Sequence, residues 1–230
     1  MKNIAIILAA GEGSRFESDM PKQFLPLGNK MVIEHALTCF QNHPEIDEIR
    51  VAVQEKYLPL IAELKAKGCY PKITHSIIGG KERHESTLAV VNSFAEEAEA
   101  NLLFHDAARP FITTQLVTEV IAALQQVKAV VVAVPATDTI VEVSQEGNIC
   151  RIPDRNGLWH AQTPQAFRLT VIKNAFQLAM QDSTFKTTDD SGVVARYLPH
   201  EPIRIIKGNI SNKKITYQED MRQEDSLTGL

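Results

Sequence analysis

Cysteine is scarce in this chain of 230 residues: three in all, Cys39, Cys69 and Cys150, far apart and with no C-x-x-C. That pattern argues against a disulfide framework, a metal site and a thiol redox motif, and Cys39, set in a helical apolar pattern, reads as a core residue. Positive charge is not in surplus either. A formal net charge of −4 argues against a sequence-independent nucleic-acid surface, so an anionic ligand must be met by locally placed cations. There is no apolar run near the length of a membrane span and no signal-peptide h-region with a cleavage site; the expectation is a cytoplasmic protein with no membrane partner. Internal repeats and low-complexity tracts are also missing.

What is present is an ordinary globular composition, 44% apolar and 23% charged, in a length that one well-buried domain accommodates, here taken as residues 1–230. Apolar periodicity alternates between strand and helix. Ile4–Leu8, Glu48–Val53, Ile73–Ile78, Asn101–Phe104, Ala129–Val134 and Ile203–Ile206 read as strands. Met31–Phe40, Tyr57–Leu64, Glu82–Ala98, Leu116–Val127, Leu169–Met180 and Ser191–Tyr197 read as helices. This alternation implies βαβ units, an α/β fold with a mostly parallel sheet and helices on both faces. After Pro135 the rhythm changes: Asp138–Val143 and Ile149–Ile152 flank a turn-forming Gln145–Asn148, which reads as a β-hairpin arm inserted at about 136–158. Thr216 is expected to cap a last helix, Tyr217–Ser226, with Glu219 as its capping-box acid.

The first strand opens into Leu8-Ala9-Ala10-Gly11-Glu12-Gly13-Ser14-Arg15-Phe16, followed by Pro21-Lys22-Gln23-Phe24. Glycines let backbone N–H groups approach phosphate oxygens and Arg15 and Lys22 supply charge, so the stretch suits a polyphosphate. It is not a Walker A loop, because no Lys-Ser or Lys-Thr follows Phe16. It is not the dinucleotide fingerprint, because Phe16 takes the third glycine's place, and this weighs against an NAD-dependent dehydrogenase. Further clusters fall at strand C-termini, where open α/β sheets bind ligands: Gly79-Gly80 with Arg83 and Ser86 three apart on one helix face, and His105-Asp106-Ala107-Ala108-Arg109-Pro110. His105, without metal-ligand spacing, reads as structural, Trp159 as packing at the arm's base, and Lys207 and Lys213 as solvated.

The blocks L-A-A-G-x-G-x-R-F, P-K-Q-F, G-G-x-x-R-x-x-S, H-D-A-A-R-P, D-R-N-G-L-W-x-A-x-T-P-Q, T-D-D and N-x-K-I-T run in order from about Ile4 to Asp220. Together they resemble the 2-C-methyl-D-erythritol 4-phosphate cytidylyltransferase family. The resemblance implies a Rossmann-like domain that binds CTP with Mg²⁺ or another divalent cation and dimerises through the inserted arm. It implies that Ala9, Ala10, Gly11, Gly13 and Gly80 lie against the nucleotide with Arg83 and Ser86, and that Arg15 and Lys22 grip the triphosphate. Asp106 and Ala107 fall where the family meets the metal-bound nucleotide, with Asp106 the metal's carboxylate. Arg109, Thr163, Thr188 and Lys214 fall on the sugar-phosphate side together with Asp106, and Thr139 and Arg155 match arm residues presented to the partner subunit's substrate. Arg15, Lys22, Arg155 and Lys214 are the expected catalytic cations. Phe16 stands where methionine is usual, Thr87 replaces a common valine, and Lys213 doubles the cation beside Lys214, the lysine that aligns with the family's. A cytidylyltransferase for ribitol 5-phosphate or another alditol phosphate shares the same cradle, and a catalytically silent nucleotide-binding protein shares the fold.

Overall fold

The computed structural model describes residues 1–13, 16, 20–94 and 99–225, with side chains to Met221. The first apolar run becomes β1 (Lys2–Leu8), whose side chains alternate between two buried faces: Ile4, Ile6 and Leu8 on one, Ala5 and Ile7 on the other. A strand buried on both faces needs a helical layer on each, and the chain supplies both. It continues through β2 (Pro26–Leu27), β3 (Lys30–Met31), α1 (Val32–Asn42), β4 (Glu48–Val53), α2 (Leu58–Ala66) and β5 (Ile73–Ile78). Then come α3 (Arg83–Asn92), β6 (Ala100–Asp106), α4 (Thr114–Leu124), β7 (Ala129–Pro135), β8 (Glu142–Val143) and β9 (Ile149–Arg151). The last elements are β10 (Trp159–Arg168), α5 (Leu169–Ala179), α6 (Asp190–Tyr197), β11 (Ile203–Lys207) and α7 (Gln218–Asp225). Helices α1, α2 and α4 pack on the Ala5/Ile7 face and α3, α5 and α6 on the Ile4/Ile6 face.

Seven strands form the main sheet in the order β11-β7-β10-β6-β1-β4-β5. The chain builds outward from β1 to β4 and β5, then returns to place β6 on the other side of β1. Strand order therefore reverses between β1 and β6, where Leu8 stands in register with Asp106. Such a switch point opens a crevice beyond the strand C-termini.

Strand β10 is a correction. The stretch from Asp154 to Gln165 reads as a long polar stretch just past the hairpin, yet residues 159–168 form a strand antiparallel to both β6 and β7, deep in the sheet. Its pairing with β7 shifts register between Ala161 and Gln165, a bulge that re-aims the intervening side chains. Gln162, Thr163 and Gln165 are buried there. The physical reason is that these polar groups are consumed by hydrogen bonds inside the protein, so polarity did not signal exposure.

Smaller differences have local causes. Glu48–Val53 alternates polar and apolar, but all six residues are buried. The Arg50 guanidinium lies 3.6 Å from the centre of the Phe94 ring and its Nε donates to Glu48 over 2.7 Å. Helix α3 stops at Asn92, short of Ala98, and residues 95–98 lie outside those described. The hairpin arm is shorter in its ladder than expected, with only Glu142–Val143 and Ile149–Arg151 paired. Its turn places Gly147 at φ +83°, the left-handed region that favours glycine. Trp159 is exposed rather than packed. Helix α7 is not capped by Thr216 with Glu219: Asp220 accepts from the Thr216 and Tyr217 amides, while the Thr216 hydroxyl donates to the Lys214 carbonyl.

Candidate active site

The loop after β1 is shaped by amide side chains. Gln23, on the short 3-10 turn Lys22–Phe24, donates to the carbonyls of Ala9 (2.7 Å) and Gly11 (2.9 Å), and Gln54 donates to that of Ala10 (2.9 Å). A trans peptide sets N–H opposite C=O, so fixing these three carbonyls turns the N–H groups of Ala10, Gly11 and Glu12 the other way. Gly13 adopts φ +69° and its carbonyl accepts from Phe16 N. The Phe16 ring is buried against Leu27, Val32 and Ile215, so the residue in the third glycine's place anchors the loop instead of admitting a pyrophosphate. Lys22 is buried beneath Gly13.

The opposite wall comes from β5 and α3. A Cβ on Gly79 would lie 2.5 Å from the Ala10 Cβ and 2.8 Å from Ser86 Oγ, and one on Gly80 would collide with Glu85. Only glycine lets this turn approach the loop. The Gly80 amide donates to Ser86 Oγ (3.1 Å), and Glu82 and Glu85 form a capping box that starts α3.

Between these walls lies a cleft of about 210 Å³ lined by residues 8–11 and 13, Lys22, Gln23, residues 80–83, Ser86, residues 106–108 and Lys214. A second cavity of about 230 Å³ is lined by Arg109, residues 161–163, Gln165, Thr188 and Asp189, together with Arg83, Asp106 and Lys214. The last three residues border both. The site is thus two chambers with a shared partition, and the partition is charged.

Asp106 is its centre. Arg83 Nε lies 3.2 Å from Oδ1, Lys214 Nζ 2.9 Å from Oδ2, and Arg109 Nε 3.8 Å from Oδ2. Burial opposes the charge on this carboxylate, but Arg83, Lys214 and Arg109 outweigh it and hold its pKa far below the carboxylate range. Arg83 is anchored from behind by Asp190, fully buried, with NH1 2.7 Å from Oδ2. Burial would lower the guanidinium's pKa, but Asp190 and Asp106 raise it, so Arg83 is permanently charged. Its NH2 has no hydrogen-bond partner among the described residues, a buried donor that a ligand oxygen would satisfy. Burial, only partly offset by Arg83, raises the Asp190 pKa.

Thr163 and His105 tie the partition to the sheet. Thr163 Oγ1 accepts from the Asp106 amide (3.2 Å) and pairs with His105 Nδ1 (2.9 Å), while His105 Nε2 lies 3.0 Å from the Arg109 carbonyl. A carbonyl only accepts, so Nε2 carries the proton. Burial pushes the His105 pKa down to about 4, leaving the ring neutral near pH 7, a structural role as its spacing suggested.

The structure therefore brings together Ala9, Ala10, Gly11, Gly13, Lys22, Gly80, Arg83, Ser86, Asp106 and Ala107 in one chamber and Arg109, Thr163, Thr188 and Lys214 in the other. Lys214 rather than Lys213 lines both. Arg15 lies outside the described residues. Thr139 and Arg155 are exposed on the arm and border neither chamber; Arg155 NH1 donates to the Thr137 carbonyl. Sequence reasoning assigned no role to Gln23, Gln54, Gln165 or Asp190. Gln165 accepts from the amides of Asp190 and Ser191 and donates to Asp189, pinning α6 to β10. The T-D-D block was the available signal for Asp190, but its partner Arg83 lies on another helix.

A divalent cation is compatible with this donor set only with help. No group of three or more His, Cys, Asp or Glu side chains able to hold a metal occurs among the described residues. Asp106 alone offers a carboxylate at the junction, and Mg²⁺ is commonly held by one or two carboxylates plus substrate phosphates. The residues fit a cation that arrives with a nucleotide. No helix among the described residues is long and apolar enough to cross a membrane.

Comparison with known proteins agrees with the geometry. The 2-C-methyl-D-erythritol 4-phosphate cytidylyltransferase family model matches residues 3–228. A Thermobifida fusca protein of that name is 40% identical over 228 residues, covering 97% of this chain and 92% of its own. The Haemophilus influenzae bifunctional ribulose 5-phosphate reductase/CDP-ribitol pyrophosphorylase Bcs1 is also 40% identical over 228 residues, but this chain spans only 48% of it. Among solved structures, 4-diphosphocytidyl-2C-methyl-D-erythritol synthase from Anaerococcus prevotii superposes with a TM-score of 0.85 at 30% identity, covering 100% of this chain and 99% of that one. Sequence, sheet topology and the match over nearly the whole length converge: the chain belongs to the 2-C-methyl-D-erythritol 4-phosphate cytidylyltransferase family.

Proposed function

We propose that the protein transfers CMP from CTP to 2-C-methyl-D-erythritol 4-phosphate, giving 4-diphosphocytidyl-2-C-methyl-D-erythritol and pyrophosphate. The observation that carries this reading is the pair of chambers sharing Arg83, Asp106 and Lys214. Two polyanions are seated on either side of one cationic partition. The glycine loop and Lys22, with Arg15, take the triphosphate through N–H groups and charge; Gly80, Arg83 and Ser86 take the cytidine. Arg109, Thr163, Thr188 and Lys214 take the acceptor.

The acceptor's phosphate monoester has a second pKa of about 6, so it is largely dianionic at neutral pH and needs no general base. One of its oxygens attacks the α-phosphorus of CTP, and the bond to the bridging oxygen of pyrophosphate breaks. The protein's part is to align the reactants and to stabilise charge on the equatorial and leaving oxygens. Lys22 and Arg15 act on the nucleotide, Lys214 at the junction. Asp106, together with the nucleotide's phosphates, would hold a divalent cation, whose charge would neutralise that of the phosphates.

We infer that a homodimer formed through arm 136–158 completes the acceptor chamber, with Thr139 and Arg155 reaching the partner's acceptor. Val141, Val143, Ile149 and Ile152 are exposed apolar residues on that arm, the kind of surface a second chain covers. The three free thiols suit the reducing cytoplasm, where we place the reaction.

A second reading, ribitol 5-phosphate as acceptor, is favoured by the similarity to the Haemophilus protein. Pyrophosphate release with CTP and Mg²⁺, compared between the two acceptors, tests both. Preference for methylerythritol phosphate is expected; preference for ribitol phosphate would replace the acceptor, and release with neither would overturn the reading.

A further inference from the structure

Lys214 borders both chambers, yet it sits on residues 208–215, a stretch with no helix or strand of its own. What fixes it is Asn212, only 1% exposed. The Asn212 side-chain amide donates to the Thr163 carbonyl (2.8 Å) and to Gln162 Oε1 (3.3 Å). Its backbone carbonyl accepts from Arg109 NH1 (2.7 Å), and its backbone N–H donates to the Asn209 carbonyl (3.0 Å). One residue thus joins the β10 bulge, the turn after β6 and the loop that carries Lys214.

The neighbouring bonds hold the loop on both flanks. Gln162 Nε2 donates to the Asn209 carbonyl (2.9 Å), and a Cβ on Gly208 would collide with Gln162 Oε1. On the other flank Ile215 N donates to the Ala108 carbonyl (2.8 Å) and the Ile215 side chain is fully buried. Lys214 projects between these fixed points to reach Asp106.

We propose that Asn212 is a positioning residue of this site. It borders neither chamber and touches no reactant, and it sets Lys214 on Asp106 by clamping the backbone of the loop that carries it to the acceptor wall, while its own backbone carbonyl accepts from the Arg109 guanidinium. The consequence for turnover rests on the cytidylyltransferase reading; the placement of Lys214 does not. Asn212→Asp keeps size and shape but replaces the donated hydrogen bond with a carboxylate facing the Thr163 carbonyl, which frees the loop.

Two readouts test this. The first uses the full-length protein without substrates: acylation of Lys214 by an amine-reactive probe, followed by peptide mass analysis. Asn212→Asp is expected to raise Lys214 labelling several-fold relative to Lys30, and unchanged labelling in a folded variant would overturn the proposal. Should Asn212→Asp fail to fold, Gln162→Met, which removes the grip on Asn209 and Asn212, carries the same expectation and the same refutation.

The second is a double-mutant cycle on pyrophosphate release. Misplacement near 1 Å costs about 10²-fold, so Asn212→Asp is expected to lower acceptor kcat/KM by about that factor. In a Lys214→Ala background it should cost no more than about twofold. Full additivity of the two losses would show that Asn212 does not act through Lys214 and would overturn the proposal. Raised labelling with no turnover in the unmodified protein would remove the cytidylyltransferase reading and leave the positioning role standing.

Discussion

The partition around Asp106 and the arm at 136–158 are built on opposite terms. At the partition one buried carboxylate meets three cations, its threonine and histidine neighbours are hydrogen-bonded, and Asp190 braces Arg83 from behind. On the arm five residues make the whole ladder and four large apolar side chains face outward. An isolated two-stranded hairpin is marginal in water. The partition is preorganised within one chain, and the arm has the character of a surface that a second chain completes.

Several substitutions break or sharpen that contrast. Lys22→Ala has the largest expected effect: kcat should fall by about 10³-fold or more, the scale of lost charge stabilisation in phosphoryl transfer, with CTP affinity changed only modestly. Stopped-flow pyrophosphate release and CTP titration measure the two separately, and near-normal turnover would remove the electrostatic mechanism. Asp106→Asn should cost about 10²-fold or more in kcat/KM for both substrates, because Arg83, Lys214 and Arg109 then face one another without their common counter-charge.

Arg155→Ala should also lose about 10²-fold when assayed alone, and its sharper test is mixing. If Arg155 serves the partner's site, Arg155→Ala and Lys22→Ala proteins, each nearly inactive, regain activity when their subunits are exchanged, because one site per mixed dimer is then intact. No recovery after verified exchange would return Arg155 to its own chain. Val143→Asp should dissociate the proposed homodimer without unfolding the monomer, which sedimentation velocity and a thermal scan read together.

A further effect concerns the pH dependence of stability. The folded pKa of His105 is lowered to about 4 by burial, against about 6.5 unfolded. Between these values the unfolded chain binds a proton that the native chain does not, so stability is fully present above pH 6.5 and is lost as pH falls toward 4. The loss amounts to roughly 3 kcal/mol. His43, also lowered by burial, adds in the same direction. Denaturant melts from pH 7 to 4 should show this slope, and His105→Gln should flatten it.

Much of this was legible in the chain. Continuous apolar runs such as Ile4–Leu8 and Ala129–Val134 mark strands buried on both faces, and the glycines at 79 and 80 mark where a turn approaches neighbouring side chains too closely for a Cβ. Phe16, by failing a glycine pattern, weighed against dinucleotide chemistry, and its buried ring packs against Leu27, Val32 and Ile215. Strand β10 was illegible because Gln162, Thr163 and Gln165 spend their polarity inside the protein, where period and composition carry no signal. Asp190 was illegible as a partner because it is defined by Arg83, and Gln23 because it is defined by the carbonyls of Ala9 and Gly11. Contacts between distant segments decide such roles, and a linear pattern does not record them.

Attack of an acceptor's phosphate on the α-phosphorus of CTP across the Asp106 partition is the step on which the proposed function turns. It is tested most directly by supplying 2-C-methyl-D-erythritol 4-phosphate with its phosphate oxygens labelled with ¹⁸O, together with CTP and Mg²⁺, and following the label by mass spectrometry. Every labelled oxygen is expected in a cytidine diphosphate-linked product, and the pyrophosphate released is expected to be unlabelled. Label in inorganic phosphate, or CMP and pyrophosphate formed without a linked product, would contradict it.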